Sequence, residues 1–180
     1  DQVLTAANTL ADEDGLGSIS YQWKRAGTAI SGATSTTYTL VQADVGSAIT
    51  VTASYTDAYS QAESSTSAGT SAVNNVNDAG TGLSLASDGD VADPDEDDAL
   101  SVTGTLADED GVSNANPTYQ WSRDSTAISG ATSASYTLVQ ADVGKTMSVV
   151  ISYTDDQTES NTITLTAASD VDNVNDNPTG

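Results

Sequence analysis

Apolar and polar residues alternate through most of this 180-residue chain. Ile49, Val51, Ala53 and Tyr55 are spaced by Thr50, Thr52 and Ser54, and Met147, Val149, Ile151 and Tyr153 repeat the pattern. A period of two sends one set of side chains inward and the other outward, which predicts half-buried strands. Tyr21 and Trp23 share a face, as do Tyr119 and Trp121; Tyr38 with Leu40, and Tyr136 with Leu138, form further inward pairs. Leu4, Ala6 and Leu10 match Leu100, Val102 and Leu106. Gly and Asp/Asn clusters punctuate these runs, and no stretch sustains a helical period. Short alternating strands with regular turn signals predict an all-β chain built as a β-sandwich.

The pattern is written twice. Thr9-Leu10-Ala11-Asp12-Glu13-Asp14-Gly15 recurs as Thr105 to Gly111, Tyr38 to Gly46 recurs as Tyr136 to Gly144, and Trp23 recurs 98 positions later as Trp121. That repeat is far longer than the roughly 20–50 residues of a solenoid unit. Two similar domains in tandem are predicted, 1–78 and 79–180. The copies differ at both ends. Copy two opens with an extra strand, Thr81–Ser87, and an acidic stretch, Asp88–Asp98, whereas copy one starts directly on the strand Leu4–Leu10. The last strand of copy one is also more polar, with Ser65, Ser67 and Gly69 set against Ile163 and Leu165. Copy one is expected to be the less stable half.

Composition restricts the chemistry. Twenty-six acidic and four basic residues give a net charge of −22, and there is no His, Cys or Phe. Thr, Ser and Val suit a pleated, half-buried surface. Without Cys no disulfide supports the small domains, and without His or Cys most zinc and copper sites are excluded. The charge argues against nucleic acid and anionic membrane, and for solubility or cation binding. No apolar stretch is long enough to span a bilayer, so direct membrane insertion is not expected.

The strand order resembles an immunoglobulin-like module, with Greek-key connections and an inward Trp on the third strand. In that order strand B holds Leu4–Leu10, C holds Tyr21–Trp23, E holds Tyr38–Leu40, F holds Ile49–Tyr55, and G runs toward Val73. There are departures: no cysteines link strands B and F, and no Tyr follows Asp44-Val45-Gly46 where a tyrosine corner would need it. The order brings the B–C and F–G loops to one pole. Asp12 and Asp14 would meet Asp57 there, and Asp108 and Asp110 would meet Asp155. The connecting Asn77 and Asp78 would lie beside the acidic loops of copy two, and Asn175 and Asp176 would do the same for a following domain.

Oxygen ligands at this density suit Ca²⁺, which takes about six to eight of them. Two carboxylates about 5 Å apart repel by roughly 3 kcal/mol at an effective dielectric near 20, and a bound dication reverses that sign. Asp12, Asp14, Asp57, Asn77, Asp78, Asp108, Asp110, Asp155, Asn175 and Asp176 are the candidate ligands. The plainer reading is a set of solvated Asp-Gly turns; duplication and convergence on one pole favour the metal. Asp93-Pro94-Asp95-Glu96-Asp97-Asp98 lacks the Gly and distal Glu of a calcium-binding loop and is expected to be a charged turn. Trp23 and Trp121 are expected in the core.

Tyr21, Trp23, Ile30–Thr34, Tyr38–Leu40, Ala43–Gly46, Tyr55–Asp57 and Val76–Asp78 together resemble the tandem immunoglobulin-like or cadherin-like repeats of giant bacterial surface adhesins, RTX adhesins among them. That resemblance implies two sandwiches in an extended end-to-end array, secretion to a bacterial cell surface, and calcium-stiffened spacing of a distal binding domain. It also implies a monomer whose partners are neighbouring repeats of the same chain. The rival is a module that grips carbohydrate or protein, for which Tyr59 is the candidate platform, though copy two has Gln157 there. An enzyme is not expected: carboxylates present in both copies without a recognisable cleft argue against glycoside hydrolysis, and no His is present for a conventional triad.

Overall fold

The computed structural model describes residues 2–175. The chain divides between Val76 and Asn77 into two compact units. Unit 1 contains β1 (Val3–Thr5), β2 (Ser20–Arg25), β3 (Thr28–Ala29), β4 (Thr37–Thr39), β5 (Ile49–Thr56) and β6 (Ala62–Thr66). Unit 2 contains β7 (Thr81–Ser87), β8 (Ala99–Ala107), β9 (Thr118–Arg123), β10 (Thr126–Ala127), β11 (Ser135–Thr137), β12 (Thr146–Thr154) and β13 (Ser160–Asp170). Among the described residues the only helical elements are two single 3₁₀ turns, Gln42–Asp44 and Gln140–Asp142.

Unit 2 is an antiparallel sandwich. One sheet runs β11-β8-β7, the other β10-β9-β12-β13. Both contribute to one core, in which Leu100, Trp121, Leu138, Met147, Val149 and Ile151 are sealed from solvent. Leu83 and Leu85 of β7 and Ile163 and Leu165 of β13 pack around it. The alternation along β12 is realised residue by residue, with Met147, Val149, Ile151 and Tyr153 buried and their neighbours facing outward.

Unit 1 repeats the four-stranded sheet as β3-β2-β5-β6, but its second sheet holds only β1 and β4. Here the strand expected over Leu4–Leu10 stops at Thr5. The physical reason lies in unit 2, where the matching β8 continues to Ala107 because β7 pairs along it, Leu85 opposite Val102 and Thr81 opposite Ala107. A strand needs a ladder for its backbone groups, and among the described residues β1 pairs with β4 alone. The last strand also differs: every residue of β6 is exposed, whereas β13 buries Asn161 and Ala167.

Trp23 and Trp121 sit in the cores at 3% and 0% exposure. Each indole N–H donates to a carbonyl, Ser35 or Ser133, at 2.9 Å, and each ring stacks on a tyrosine, Tyr38 or Tyr136, at 5.8 Å between centroids.

The turn before β5 and β12 has no tyrosine corner, and a carboxylate takes over that role. Asp44 is fully buried. It accepts hydrogen bonds from Arg25 Nε at 2.7 Å, Tyr38 Oη at 3.0 Å and Val41 N at 2.8 Å. Asp142 is held in the same way by Arg123, Tyr136 and Val139 N. Burial alone would raise the Asp44 carboxyl, but the Val41 amide, Arg25 and Tyr38 outweigh it and hold the group below its ordinary value. The buried carboxylate is thereby satisfied in the interior, where an unmet polar group is costly.

Candidate functional site

Each unit gathers two loops at one pole, and the same hydrogen bonds build both. The loop after β1 or β8 carries Asp12 or Asp108. Asp12 Oδ1 accepts from Asp14 N at 2.8 Å, and its Oδ2 from Tyr55 Oη at 2.8 Å. Asp108 repeats this with Asp110 N at 2.9 Å and Tyr153 Oη at 2.6 Å. The loop after β5 or β12 carries Asp57 or Asp155. Asp57 Oδ1 accepts from Tyr59 N and Gln61 N; Asp155 Oδ1 accepts from Gln157 N and Glu159 N, both at 2.9 Å. Backbone bonds close the two loops against each other, Ala58 N to Asp14 O in unit 1 and Asp156 N to Gly111 O in unit 2. Short polar side chains bonded to nearby amides are the ordinary chemistry of Asx turns, so part of the repeated acidic pattern is loop architecture.

The poles then diverge. Asp14 is exposed and Asp57 half-buried, whereas Asp110 and Asp155 are 3% and 5% exposed. The segment leading into β7 accounts for much of this. Asp78 N donates to Asp110 Oδ2 at 2.9 Å. Asn77 and Asn161 exchange amide hydrogen bonds, Nδ2 of Asn77 to Oδ1 of Asn161 at 2.9 Å, and Asn161 Nδ2 also donates to Asp155 Oδ2 at 2.9 Å. Two consecutive residues of this segment thus engage the pole of unit 2, Asp78 through Asp110 and Asn77 through Asn161 to Asp155.

Two contributors lie outside the repeated pattern. Asn161, 7% exposed, has Glu63 as its counterpart, so repetition does not reveal it. Asp156 replaces Ala58 and ties down the loop that is two residues longer in unit 2, accepting from Ser113 Oγ at 2.8 Å, Ser113 N and Asn114 N. The Ser113 hydroxyl, then its amide, hold the Asp156 carboxyl below its usual value. The longer loop beside a new Asp was the available sequence signal.

Tyr153 is squeezed beneath the segment that enters β7. A Cβ placed on Gly80 would come within 2.0 Å of the Tyr153 hydroxyl. Burial, followed by the hydrogen bond to Asp108, pushes the Tyr153 phenol up to about 12. Tyr55 also reaches about 12, with the bond to Asp12 as the first cause and burial second.

Among the described residues no three Asp or Glu side chains gather as a group that could hold a metal ion. The donors at the unit 2 pole are two buried carboxylates, Asp110 and Asp155, with the amide oxygens of Asn77 and Asn161. That set is all oxygen, the type Ca²⁺ takes from carboxylates, amides and backbone together. Among the described residues of unit 1 Asp14 is exposed and Asp57 half-buried, and they fit the ion less well. Asn175 is exposed, and Asp176 lies outside the described residues. The stretch 93–98 forms a turn: Pro94 and Glu96 are buried, Asp98 Oδ2 accepts from Asp95 N, and Glu96 N donates to Asp172 O. Among the described residues Tyr59 is the one strongly exposed aromatic, at 73%, and no helix is long and apolar enough to cross a membrane.

No family model matches the chain, and no curated protein matches it. Among solved structures, the fibronectin(III)-like modules of Clostridium thermocellum CbhA are similar at 15% identity, covering 92% of this chain and 83% of theirs, with a TM-score of 0.30. A likeness of that degree leaves the strand order and the shared core as the basis for the sandwich.

Proposed function

We propose that the chain is a pair of extender modules from a secreted, surface-displayed adhesin, stiffened by Ca²⁺. The observation that carries this reading is the burial of Asp110 and Asp155 beneath Asn77 and Asp78. Asp110, Asp155, Asn77 and Asn161 would hold the ion, with Asp78 placed beside them. When bound, Ca²⁺ supplies positive charge that offsets repulsion between the carboxylates. The residues of the chain do the rest: Asp108 and Asp155 shape the loops, and Asn161 orients Asp155. Fixing Asn77 and Asp78 fixes the segment by which the chain enters unit 2, so a loose ensemble gives way to one pose only because that pose completes the oxygen shell.

A spacer role suits a duplicated module in which Asp12 and Asp108 serve to build the loops of each pole. Catalysis would need a free carboxylate pair in a cleft. A sugar- or protein-gripping module is the other reading, but its one exposed platform, Tyr59, is not repeated in unit 2.

Titration calorimetry of the whole chain with Ca²⁺ tests the proposal. Binding is expected at about 10⁻⁴–10⁻³ M, the range of extracellular calcium modules. Asp110→Ala should weaken it by about tenfold or more, a loss of at least about 1.4 kcal/mol. No heat and no rise in melting temperature at saturating Ca²⁺ would reject the metal, leaving two acidic sandwiches whose poles are held by hydrogen bonds alone.

A further inference from the structure

Unit 2 has four sheet edges, and three of them are guarded. β10 has two residues and β11 three, and β7 is broken by a bulge at Gly82, φ +84°. Short or bulged edges give an incoming strand little to pair with. The fourth edge is β13, eleven residues long and, among the described strands, paired with β12 alone. It holds no Pro, Lys or Arg, and no acid from Ser160 to Ser169. The loop before β8 covers its far end, where Ser169 Oγ donates to Ala92 O and Asp172 N to Pro94 O, both at 2.9 Å. Among the described residues the backbone of 160–168 has β12 as its one partner. In unit 1, where the chain that follows the repeat is present, the corresponding β6 also ends its sheet, so this edge belongs to the repeat.

The register fixes which groups the edge offers. Asp155 N donates to Glu159 O at 3.1 Å, and bonded and unbonded pairs alternate along an antiparallel ladder. Thr154 stands opposite Ser160, Tyr153 opposite Asn161 and Ile151 opposite Ile163. The backbone groups of Asn161, Ile163 and Leu165 therefore turn to β12, and those of Ser160, Thr162, Thr164 and Thr166 turn outward. The side chains of Ile163 and Leu165 pack against the core, while the three threonines are exposed. Thr-Ile-Thr-Leu-Thr, residues 162–166, reads nearly the same in both directions. Its centre, Thr164, is also the midpoint of the open stretch 160–168.

We infer that β13 is a self-pairing edge, on which the β13 of a second copy docks antiparallel about a twofold axis at Thr164. Such a contact uses the same patch on both copies. Thr164 then meets Thr164, Thr162 meets Thr166 and Ile163 meets Leu165. Outward backbone groups meet their complements, and the apolar face continues across the seam. Opposed threonines and β-branched side chains are favourable cross-strand pairs. Charge favours the same occupant: two chains of net charge −22 repel over most of their surface, and this stretch is uncharged. Glu159 and Asp170 flank it, so the pairing should strengthen with salt, which screens them. The inference goes beyond the spacer reading and needs no Ca²⁺.

Sedimentation of the whole chain across a concentration series, with chelator present, is the test. A monomer–dimer equilibrium is expected, shifted toward dimer by salt. Thr164→Glu sets two carboxylates face to face and should weaken the dimer by about tenfold or more, while Thr164→Ser should keep it. Single thiols read the register, since the chain has no Cys. In Thr164→Cys the paired Cα atoms lie about 5.5 Å apart, inside the disulfide range of about 4.4–6.8 Å. In Ser160→Cys they lie more than about 20 Å apart. Under a mild thiol oxidant, which takes one proton and one electron from each thiol, Thr164→Cys should link at least about tenfold faster than Ser160→Cys because its thiols are held together. A chain that stays monomeric at high concentration and salt overturns the pairing. A dimer untouched by Thr164→Glu, or equal linking at the two positions, overturns it as well.

Discussion

Unit 1 and unit 2 share a stacked Trp–Tyr pair, a buried Asp held by Arg and Tyr, and an acidic loop pole, yet among the described residues only unit 2 closes its core. Trp23, Ile49 and Ala53 are the buried apolar residues of unit 1, whereas unit 2 buries Leu100, Trp121, Leu138, Met147, Val149, Ile151 and more. The contrast separates what the repeated sequence supplies from what the extra segment Asn77–Ser87 adds. The repeat supplies the four-stranded sheet and the turn geometry. The added segment supplies the third strand of the second sheet, two core leucines and the cover over the loop pole.

The largest effect expected from this comparison is in paired core truncations. Leu100→Ala should destabilise unit 2 by about 2–5 kcal/mol, the range for a fully buried leucine. Leu4→Ala should cost unit 1 less than about 1 kcal/mol, because a half-exposed side chain loses only part of its burial. In the unaltered chain, calorimetry should show unit 1 melting first. Equal costs for the two truncations, or unit 2 melting first, would mean that β7 is not what distinguishes the cores.

The next effect is at the pole. Gly80→Ala sets a methyl against the Tyr153 hydroxyl and should cost unit 2 about 1–3 kcal/mol, as overpacking does. It leaves unit 1 untouched, so the first transition of the melt should stay in place while the second falls. A second transition that does not move would show that the entering segment sits loosely over Tyr153.

Much of this difference was legible in the chain. Alternation marked β5 and β12, the doubled motif marked the repeat, and β7 lies where Thr81–Ser87 predicted it. The length of β1 was not legible, because Ala6–Leu10 carries nearly the same pattern as Val102–Leu106 and only a pairing partner decides whether it is a strand. At the poles, repetition singled out Asp12 and Asp108, which hydrogen bonding shows to be loop builders. It passed over Asn161, which replaces Glu63 and acts through burial. It also passed over the role of Asp44 and Asp142, although their recurrence with Arg25 and Arg123, two of only four basic residues, was a usable signal.

The smallest effect separates the two tyrosines that share a pKa. Tyr55 and Tyr153 both stand at about 12, against an ordinary value near 10. Their first causes differ: the hydrogen bond to Asp12 for Tyr55, burial for Tyr153. Asp12→Ala should therefore return Tyr55 most of the way to its ordinary value, while Asp108→Ala should lower Tyr153 only in part, because that side chain stays 4% exposed. Tyrosinate absorbance against pH, variant by variant, resolves the two. Each phenol is held neutral in the fold above the pH at which it ionises in the unfolded chain. The stability it contributes is present in full below about pH 10 and is lost as the pH rises through about 12. Equal drops in the two variants would mean that the pole of unit 2 is as wet as that of unit 1, and that Asn77 and Asp78 do not keep water from it.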